Sequence, residues 1–137
     1  MRVYIAGPMS GKPSFNWPAF DELAAVLRGR GFDVVSPSEM DSPATRAAVM
    51  SSPDGHHRDL PPGETWGYYL SRDVALLADG GIEGVVVLPE WETSKGARLE
   101  VFMASQILGL PVMRYIDPGL PGLIELSPWA ILEGVRR

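Results

Sequence analysis

The chain has 137 residues, of which 45% are hydrophobic and 21% charged, with no cysteine and a formal net charge of −5. This length fits one domain with a real hydrophobic core and excludes a disordered or fibrous chain. The lack of cysteine excludes a disulfide framework, a zinc ribbon and a thiolate nucleophile, so the candidate chemistry rests on carboxylates, hydroxyls and histidine.

The distribution of charge and the hydropathy of the chain limit which classes of partner the protein can bind and where in the cell it can be located. Lys and Arg are scattered along the chain and form no stripe, which argues against binding a nucleic acid polymer through its phosphates. No apolar run approaches the roughly 18 residues of a membrane span, and the first predicted strand starts too close to Met1 for a signal peptide. We therefore expect a soluble cytoplasmic protein that does not bind membranes and whose partner is a small molecule, a single nucleotide included.

Strand and helix patterns alternate in the first part of the chain. Residues 2–6 are β-branched and aromatic and predict a buried strand that stops at the Gly-Pro pair after it. Apolar residues then recur at helical spacing between Asn16, a candidate N-cap, and Gly29. Residues 32–36 predict a second strand.

The alternation continues in the second part. Helical spacing returns over residues 65–79, and residues 84–88 have the hydrophobicity of a parallel strand that is buried on both faces. A helix is predicted over residues 95–108 and a strand over residues 111–115. The last twenty residues give weak signals and predict at most a short helix over residues 129–135.

This order of elements predicts an α/β fold. We expect a single Rossmann-like (flavodoxin-like) domain over residues 1–137, with a parallel sheet of about four or five strands and helices on both faces. Residues 38–63 are rich in Ser, Pro, Asp and Gly, with at most a short helix over residues 44–50. Because this segment is too long for an ordinary connection, we predict that it is a lid or a binding loop.

Ligands of such sheets bind beyond the carboxyl ends of the strands. The first strand ends in a short segment that can bring its backbone close to a ligand: Gly7, Pro8, Met9, Ser10 and Gly11. The segment lacks the Gly-x-Gly-x-x-Gly spacing, so a dinucleotide fingerprint is not supported.

Glu100 stands near the buried stripe of the helix predicted over residues 95–108. That stripe comprises Ala97, Val101, Ala104 and Leu108. At about 100° per residue, Glu100 lies roughly 70° from its centre, which places a half-buried carboxylate beside the expected ligand site. The alternative is an ordinary solvated glutamate that pairs with Arg98 or Lys95.

Asp73 projects from the middle of the apolar face of the helix over residues 65–79. The face comprises Trp66, Tyr69, Leu70 and Leu77. Burial of an ionised carboxylate without partners is costly, so Asp73 must be hydrogen-bonded, ion-paired or protonated. It is either a structural aspartate, paired with Arg72 or capping a loop, or a catalytic acid or orienting group with a perturbed pKa.

Ser94 and Gly96 begin the helix that carries Glu100. A hydroxyl, free backbone N–H groups and the positive end of the helix dipole make an anion site suited to phosphate or carboxylate. A plain N-cap explains Ser94 equally well. Two aromatic residues are also open to two interpretations: Tyr4 packs in the core or orients a carboxylate, and Trp91 stacks on a base or covers the edge of the core.

The adjacent His56 and His57 are the only histidines, with Asp54 and Asp59 nearby. Two neighbouring histidines in a loop do not have the ligand spacing of a convincing metal site. We therefore predict neither a metal nor an organic cofactor.

Three segments resemble one enzyme superfamily: residues 1–11 (MRVYIAGPMSG), the helix that carries Trp66 and Asp73, and residues 88–100 (LPEWETSKGARLE). They are similar to nucleoside 2-deoxyribosyltransferases and 2'-deoxynucleoside 5'-monophosphate N-hydrolases, and most similar to short, often phage-borne members. The resemblance implies that Glu100 attacks the anomeric carbon, that Asp73 protonates or orients the leaving base, and that Tyr4 positions the nucleophile.

The resemblance also bears on the substrate and the assembly. Ser94 falls where the deoxynucleotide hydrolases carry a phosphate-binding serine and the transferases an aspartate, which favours a substrate with a 5'-phosphate. Related enzymes complete the pocket with residues of a neighbouring subunit, which implies a homo-oligomer. Residues 38–63 have no clear counterpart in the superfamily.

The chemistry that the resemblance implies agrees with the two candidate carboxylates, Asp73 and Glu100. Cleavage of an N-glycosidic bond passes through an oxocarbenium-like state that two carboxylates can manage, and a covalent glycosyl-enzyme requires them about 5 Å apart. We therefore expect an enzyme that hydrolyses or transfers the N-glycosidic bond of a (deoxy)nucleoside 5'-monophosphate. One alternative is an NAD- or ADP-ribose-type glycohydrolase that uses the same Glu100. The other is a non-catalytic nucleotide-binding module in which Glu100 and Asp73 hold a ribose.

Overall fold

A computed structural model describes residues 1–115 and 122–137, and in these residues the chain forms a five-stranded sheet flanked by helices. The strands are β1 (Arg2–Ala6), β2 (Asp33–Val35), β3 (Gly84–Val87), β4 (Val112–Tyr115) and β5 (Leu123–Glu125). The helices are α1 (Trp17–Gly29), α2 (Pro43–Met50), α3 (Trp66–Asp79), α4 (Lys95–Phe102) and α5 (Pro128–Arg136). The predicted α/β fold is confirmed.

The strand order is β2-β1-β3-β4-β5. The first four strands are parallel, whereas β5 runs antiparallel to β4 along the edge of the sheet. The prediction of a parallel sheet is therefore wrong for β5, which gave no strand signal because it is only three residues long and mostly exposed. The order of the strands reverses between β1 and β3, and in such sheets the crevice beyond this reversal is the usual ligand site.

Helices cover both faces of the sheet. On one face, α1 packs apolar side chains against β1, β2 and β3, in a cluster that includes Phe20, Leu23, Leu27, Val3, Ile5, Val34 and Val86. On the other face, α3, α4 and α5 contribute to a second cluster that includes Leu77, Val101, Ile131, Tyr4, Val85 and Val87. The alternation of side chains along β1 and β3 supplies both clusters, because successive strand residues point to opposite faces.

The segment of residues 38–63 is packed against the rest of the domain. It contains α2, which confirms the short helix predicted there. Its Val49 and Leu60 join a third apolar cluster with Tyr69. Gly11 N–H donates to Gly55 O at 3.0 Å, so backbone hydrogen bonds also fasten the segment to the loop after β1. Of the two predicted roles, these contacts fit a binding loop better than a lid.

Three local predictions need correction. Asn16 occupies the N-cap position of α1, but its left-handed backbone (φ 59°) points the side chain away, and its Nδ2 donates to Pro8 O instead. After Phe102 the helix continues as a π-helical stretch, Met103–Ile107. This change of period leaves Leu108, predicted to be buried, 37% exposed. Trp66, predicted to be on the apolar face of α3, is half exposed at the start of that helix.

Among the described residues, no helix combines the length and the apolar character needed to cross a membrane.

Candidate active site

A cavity of about 410 Å³ lies beyond the carboxyl ends of β1 and β3. Its walls come from the loop after β1, the segment of residues 38–63, α3 and the start of α4. Eight residues predicted as candidate site residues line it: Pro8, Met9, Ser10, Gly11, Asp73, Ser94, Gly96 and Glu100. The strand reversal therefore gathers residues that are far apart in sequence.

Glu100 extends from α4 into this cavity and is only 6% exposed. Burial raises the pKa of its carboxyl to about 8, and the negative charge of Asp73 adds to the rise. The carboxylate is therefore more buried than predicted, and the alternative of a solvated glutamate paired with Arg98 or Lys95 is wrong.

Gly96 keeps the space beside Glu100 open. A Cβ atom on Gly96 would stand 4.0 Å from Glu100 Oε1 and 4.0 Å from Ser94 Oγ. The carboxylate and the serine hydroxyl, six residues apart along the chain, therefore border the same gap. A ligand that fills this gap contacts both groups.

Tyr4 lies beneath Glu100 in β1 and is fully buried. Neither its hydroxyl nor Glu100 Oε2 completes a hydrogen bond of standard geometry with the described residues. The two groups are nevertheless close enough for the hydroxyl to lower the pKa of Glu100 as a donor, against the larger effect of burial. Burial and the Glu100 charge raise the pKa of Tyr4 well above its ordinary value, so its phenol stays protonated and able to donate.

Asp73 faces the cavity from α3 and is 5% exposed. Arg72 Nε and Nη2 both lie 3.0 Å from Asp73 Oδ1, so the pairing that the structural alternative predicted is present. Both of these contacts involve Oδ1, and neither involves Oδ2. Burial raises the pKa of Asp73 to about 6, although Arg72 opposes the rise. The ion pair thus leaves one carboxyl oxygen available to a ligand.

Ser94 is placed both to cap helix α4 and to contact a ligand in the cavity, as its two interpretations require. Its Oγ accepts a hydrogen bond from Ala97 N–H at 3.2 Å, which confirms the N-cap of α4. The residue also borders the cavity, next to Lys95 and opposite Lys12, whose Nζ lies 2.7 Å from Glu90 Oε2. The phosphate contact stays a prediction.

Gly7 and Trp91 do not line this cavity, although they were predicted to contact a ligand. A Cβ atom on Gly7 would stand 2.8 Å from Leu88 Cβ, so the glycine allows the ends of β1 and β3 to pack closely. The Trp91 ring is buried in the core and packs against Gly134 so closely that a Cβ atom there would overlap the ring. Trp91 therefore covers the edge of the core, which is the second of its two interpretations.

Sequence reasoning missed His57 as a cavity residue. Its Nε2 lies 2.9 Å from Ser10 Oγ, its ring packs edge-on against Phe15, and burial lowers its pKa. His56 instead accepts a hydrogen bond from Arg58 N–H outside the cavity. The sequence pattern of two adjacent histidines does not indicate that only the His57 ring faces the cavity.

Within residues 1–115 and 122–137, no three His, Asp or Glu side chains are grouped so as to hold a metal ion.

Comparison with known families places the chain in one of them. A family profile described as a domain of unknown function (DUF4406) matches residues 1–114, which include every residue named in the cavity. The chain belongs to this family. No curated protein and no solved structure matches it.

Proposed function

We propose that this DUF4406 protein cleaves the N-glycosidic bond of a (deoxy)nucleoside 5'-monophosphate. Glu100 is the nucleophile and Asp73 the acid that protonates the leaving base. The proposal depends chiefly on one observation: two buried carboxyls from different helices border one cavity, and burial raises the pKa of both. Two carboxyls that hold one proton between them are typical of glycoside cleavage. The choice of Glu100 as the nucleophile and Asp73 as the acid comes from the resemblance, because the pKa values alone place the proton on Glu100.

The resemblance of residues 1–11, of the Asp73 helix and of residues 88–100 to nucleoside 2-deoxyribosyltransferases and 2'-deoxynucleoside 5'-monophosphate N-hydrolases supports the same roles. In that superfamily Glu100 corresponds to the nucleophile and Asp73 to the residue that serves the leaving base. Tyr4 corresponds to the tyrosine that positions the nucleophile, and here its buried hydroxyl approaches Glu100.

The reaction then has two steps. A Glu100 oxygen attacks C1' while the bond from C1' to the base breaks, and the base takes the bonding electrons together with the Asp73 proton. The sugar is left as an ester of Glu100. In the second step Asp73, now a carboxylate, takes a proton from water or an acceptor base, which attacks C1' and frees Glu100.

The cavity offers a distinct environment to each part of such a substrate. One end is apolar and aromatic, lined by Phe15, Trp17, Val49, Leu60 and Tyr69, and suits a flat base. The other end holds Ser94 Oγ, the first N–H groups of α4 and Lys95, which suit a 5'-phosphate. The two carboxyls line the same cavity. No metal or organic cofactor takes part in this proposal.

The proposal includes a homo-oligomer in the cytoplasm. Neighbouring helices α4 and α5 expose large apolar side chains: Leu99, Phe102, Trp129 and Leu132. Exposed apolar side chains on two helices that contact each other support an interface at this face. Sedimentation velocity measures the assembly, and a monomer at micromolar concentration would remove this part of the proposal.

Product analysis tests the activity. The purified protein is incubated with deoxynucleotides, ribonucleotides, the matching nucleosides and NAD, and released bases are separated by HPLC. We expect free base and a sugar 5-phosphate from at least one monophosphate. Release of nicotinamide from NAD alone would instead indicate the glycohydrolase alternative, and binding of nucleotides without any cleavage would indicate a binding module.

A further inference from the structure

Arg72 is held between two carboxylates, of which Asp73 is only one. Its Nη1 lies 2.7 Å from Oδ1 of Asp41, a residue of the segment 38–63. Its Nη2 donates to Pro37 O at 3.2 Å, and its guanidinium packs over the Tyr69 ring at 5.0 Å. These contacts fix the guanidinium in one orientation, with Asp41 on one side and Asp73 on the other.

Asp41 is as deeply buried as the residue it faces across Arg72. Its side chain is 5% exposed, and its Oδ2 has no hydrogen-bond partner in the described residues. A buried carboxylate oxygen without a partner is unfavourable. The ion pair with Arg72 therefore satisfies only one of the two carboxylate oxygens of Asp41.

Two carboxyls, those of Asp41 and Asp73, pair with the guanidinium of Arg72, and the charge of Arg72 also acts on Glu100. Lys12, Lys95 and His57 also line the cavity that Asp73 and Glu100 face. Because one cation neutralises one anion, Asp41 reduces the attraction that Arg72 exerts on Asp73. Burial is the main cause that raises the pKa of Asp73, the Arg72 charge lowers it, and the Asp41 charge raises it again.

We propose that Asp41 is a positioning residue that acts through Arg72 to favour the protonated form of Asp73 and to orient it toward the leaving base. The inference rests on the proposed function, because it concerns the acid of that reaction. Without Asp41, the full charge of Arg72 favours an ionised Asp73, which has no proton to donate. The segment of residues 38–63, which has no counterpart in the resemblance, thus contributes a residue that controls the acid.

The first test measures the ionisation of Asp73 and needs no enzymatic activity. Asp41→Asn keeps the size of the side chain and an acceptor for Arg72 but removes the charge. Asp54→Asn is the matched control, because Asp54 belongs to the same segment and pairs with Arg58 at 2.9 Å, away from Arg72. The protein is labelled with 13C at aspartate carboxyls, and Asp73→Asn assigns the Asp73 signal. We expect a lower titration midpoint for Asp73 in Asp41→Asn and an unchanged midpoint in Asp54→Asn.

The second test measures the consequence for catalysis. With a nucleotide substrate and at a pH above the Asp73 midpoint, Asp41→Asn should lower kcat/KM about tenfold for each unit by which that midpoint falls. A nitrophenyl deoxyriboside 5-phosphate, whose leaving group needs no proton, should react at the wild-type rate. Asp41→Glu, which restores the charge, should recover part of the lost rate.

Three results would each overturn the inference. The first is an Asp73 midpoint that is the same in Asp41→Asn and in the wild type, and the second is an equal loss of rate on both substrates. The third is a failure of both Asp41→Asn and Asp41→Ser to fold while Asp54→Asn folds. If no nucleotide is cleaved by the wild type, the proposed function fails, whereas the NMR titration still decides whether Asp41 controls Asp73.

Discussion

The negative charge of Asp73 raises the pKa of Glu100, although the two side chains come from different helices, α3 and α4. Burial is the larger cause, and it raises the two pKa values to about 6 and about 8. Between these pH values the two carboxyls hold one proton, which in the unliganded protein resides mainly on Glu100, the group with the higher pKa. The reactive form, with the charge on Glu100 and the proton on Asp73, is the minor arrangement of that proton. Such a pair supplies one carboxylate and one carboxylic acid to the same cavity, which is what the cleavage of a glycosidic bond with retention requires.

The shared proton predicts a bell-shaped pH profile. We expect kcat/KM for a nucleotide to fall on both sides of a maximum, with limbs near pH 6 and pH 8. The fully protonated pair has no nucleophile and the fully ionised pair has no acid. Base release measured from about pH 4 to about pH 10 tests this. A rate that does not change across this range would contradict it.

Removal of the Glu100 charge should stabilise the protein at alkaline pH. Because burial raises the pKa of Glu100 to about 8 in the folded state, its contribution to stability is fully present below the unfolded pKa and is lost as the pH rises toward 8. The glutamine side chain of the Glu100→Gln variant does not ionise, so its contribution to the unfolding free energy does not change with pH. Between about pH 5 and about pH 9, the unfolding free energy of the wild type should therefore fall relative to the variant by on the order of 4 kcal/mol. Urea denaturation at both pH values measures this, and parallel changes in the two proteins would contradict it.

Asp73→Asn should discriminate between leaving groups. We expect a loss of about 10²-fold or more in kcat/KM for a nucleotide, whose base leaves with a proton, and a much smaller loss in kcat/KM for a nitrophenyl deoxyriboside 5-phosphate, because kcat/KM does not include the second step. Steady-state rates on both substrates give the comparison. Equal losses would assign Asp73 a structural role as the partner of Arg72.

Ser94→Ala tests the phosphate subsite. If the hydroxyl contacts a 5'-phosphate, the variant should lose roughly 1 to 3 kcal/mol of the preference for a deoxynucleotide over the matching nucleoside. It should also lose about 1 kcal/mol of stability, because its Oγ caps α4. The ratio of kcat/KM for the two substrates measures the first effect, and thermal unfolding the second.

Ser127→Ala is the matched control for that prediction. Ser127 Oγ caps α5 with the same geometry, accepting from Ala130 N–H at 3.1 Å, and it does not line the cavity. We expect this variant to lose stability but to keep the substrate ratio of the wild type. A substrate ratio in Ser94→Ala that also stays unchanged would leave Ser94 as an N-cap alone.

Local patterns were sufficient to predict most of the fold. The spacing of apolar residues placed α1, α3 and the four parallel strands to within two residues, because each buries a face of regular period. The same patterns failed where the period changes or the burial is weak. The π-helical stretch after Phe102 and the exposed strand β5 are the two examples.

The candidate site was predictable only in part. Asp73 and Glu100 stood out because a carboxylate on an apolar helix face conflicts with its surroundings. His57 and Asp41 gave no such signal, since they lie in the irregular segment of residues 38–63 and their positions depend on tertiary contacts with Ser10 and Arg72. Trp91 was ambiguous because both stacking on a base and packing in the core suit a tryptophan after a strand.

The rate of base release by Glu100→Gln tests the central claim most directly. The variant keeps the shape of the side chain, and Glu22→Gln, on exposed α1 surface, is the matched control. With the best substrate, we predict that Glu100→Gln lowers kcat by at least about a thousandfold, since the loss of a covalent nucleophile removes several kcal/mol of transition-state stabilisation. Glu22→Gln should keep the wild-type rate, and both variants should unfold cooperatively. If Glu100→Gln is folded and retains more than about a tenth of the wild-type kcat, Glu100 is not the nucleophile.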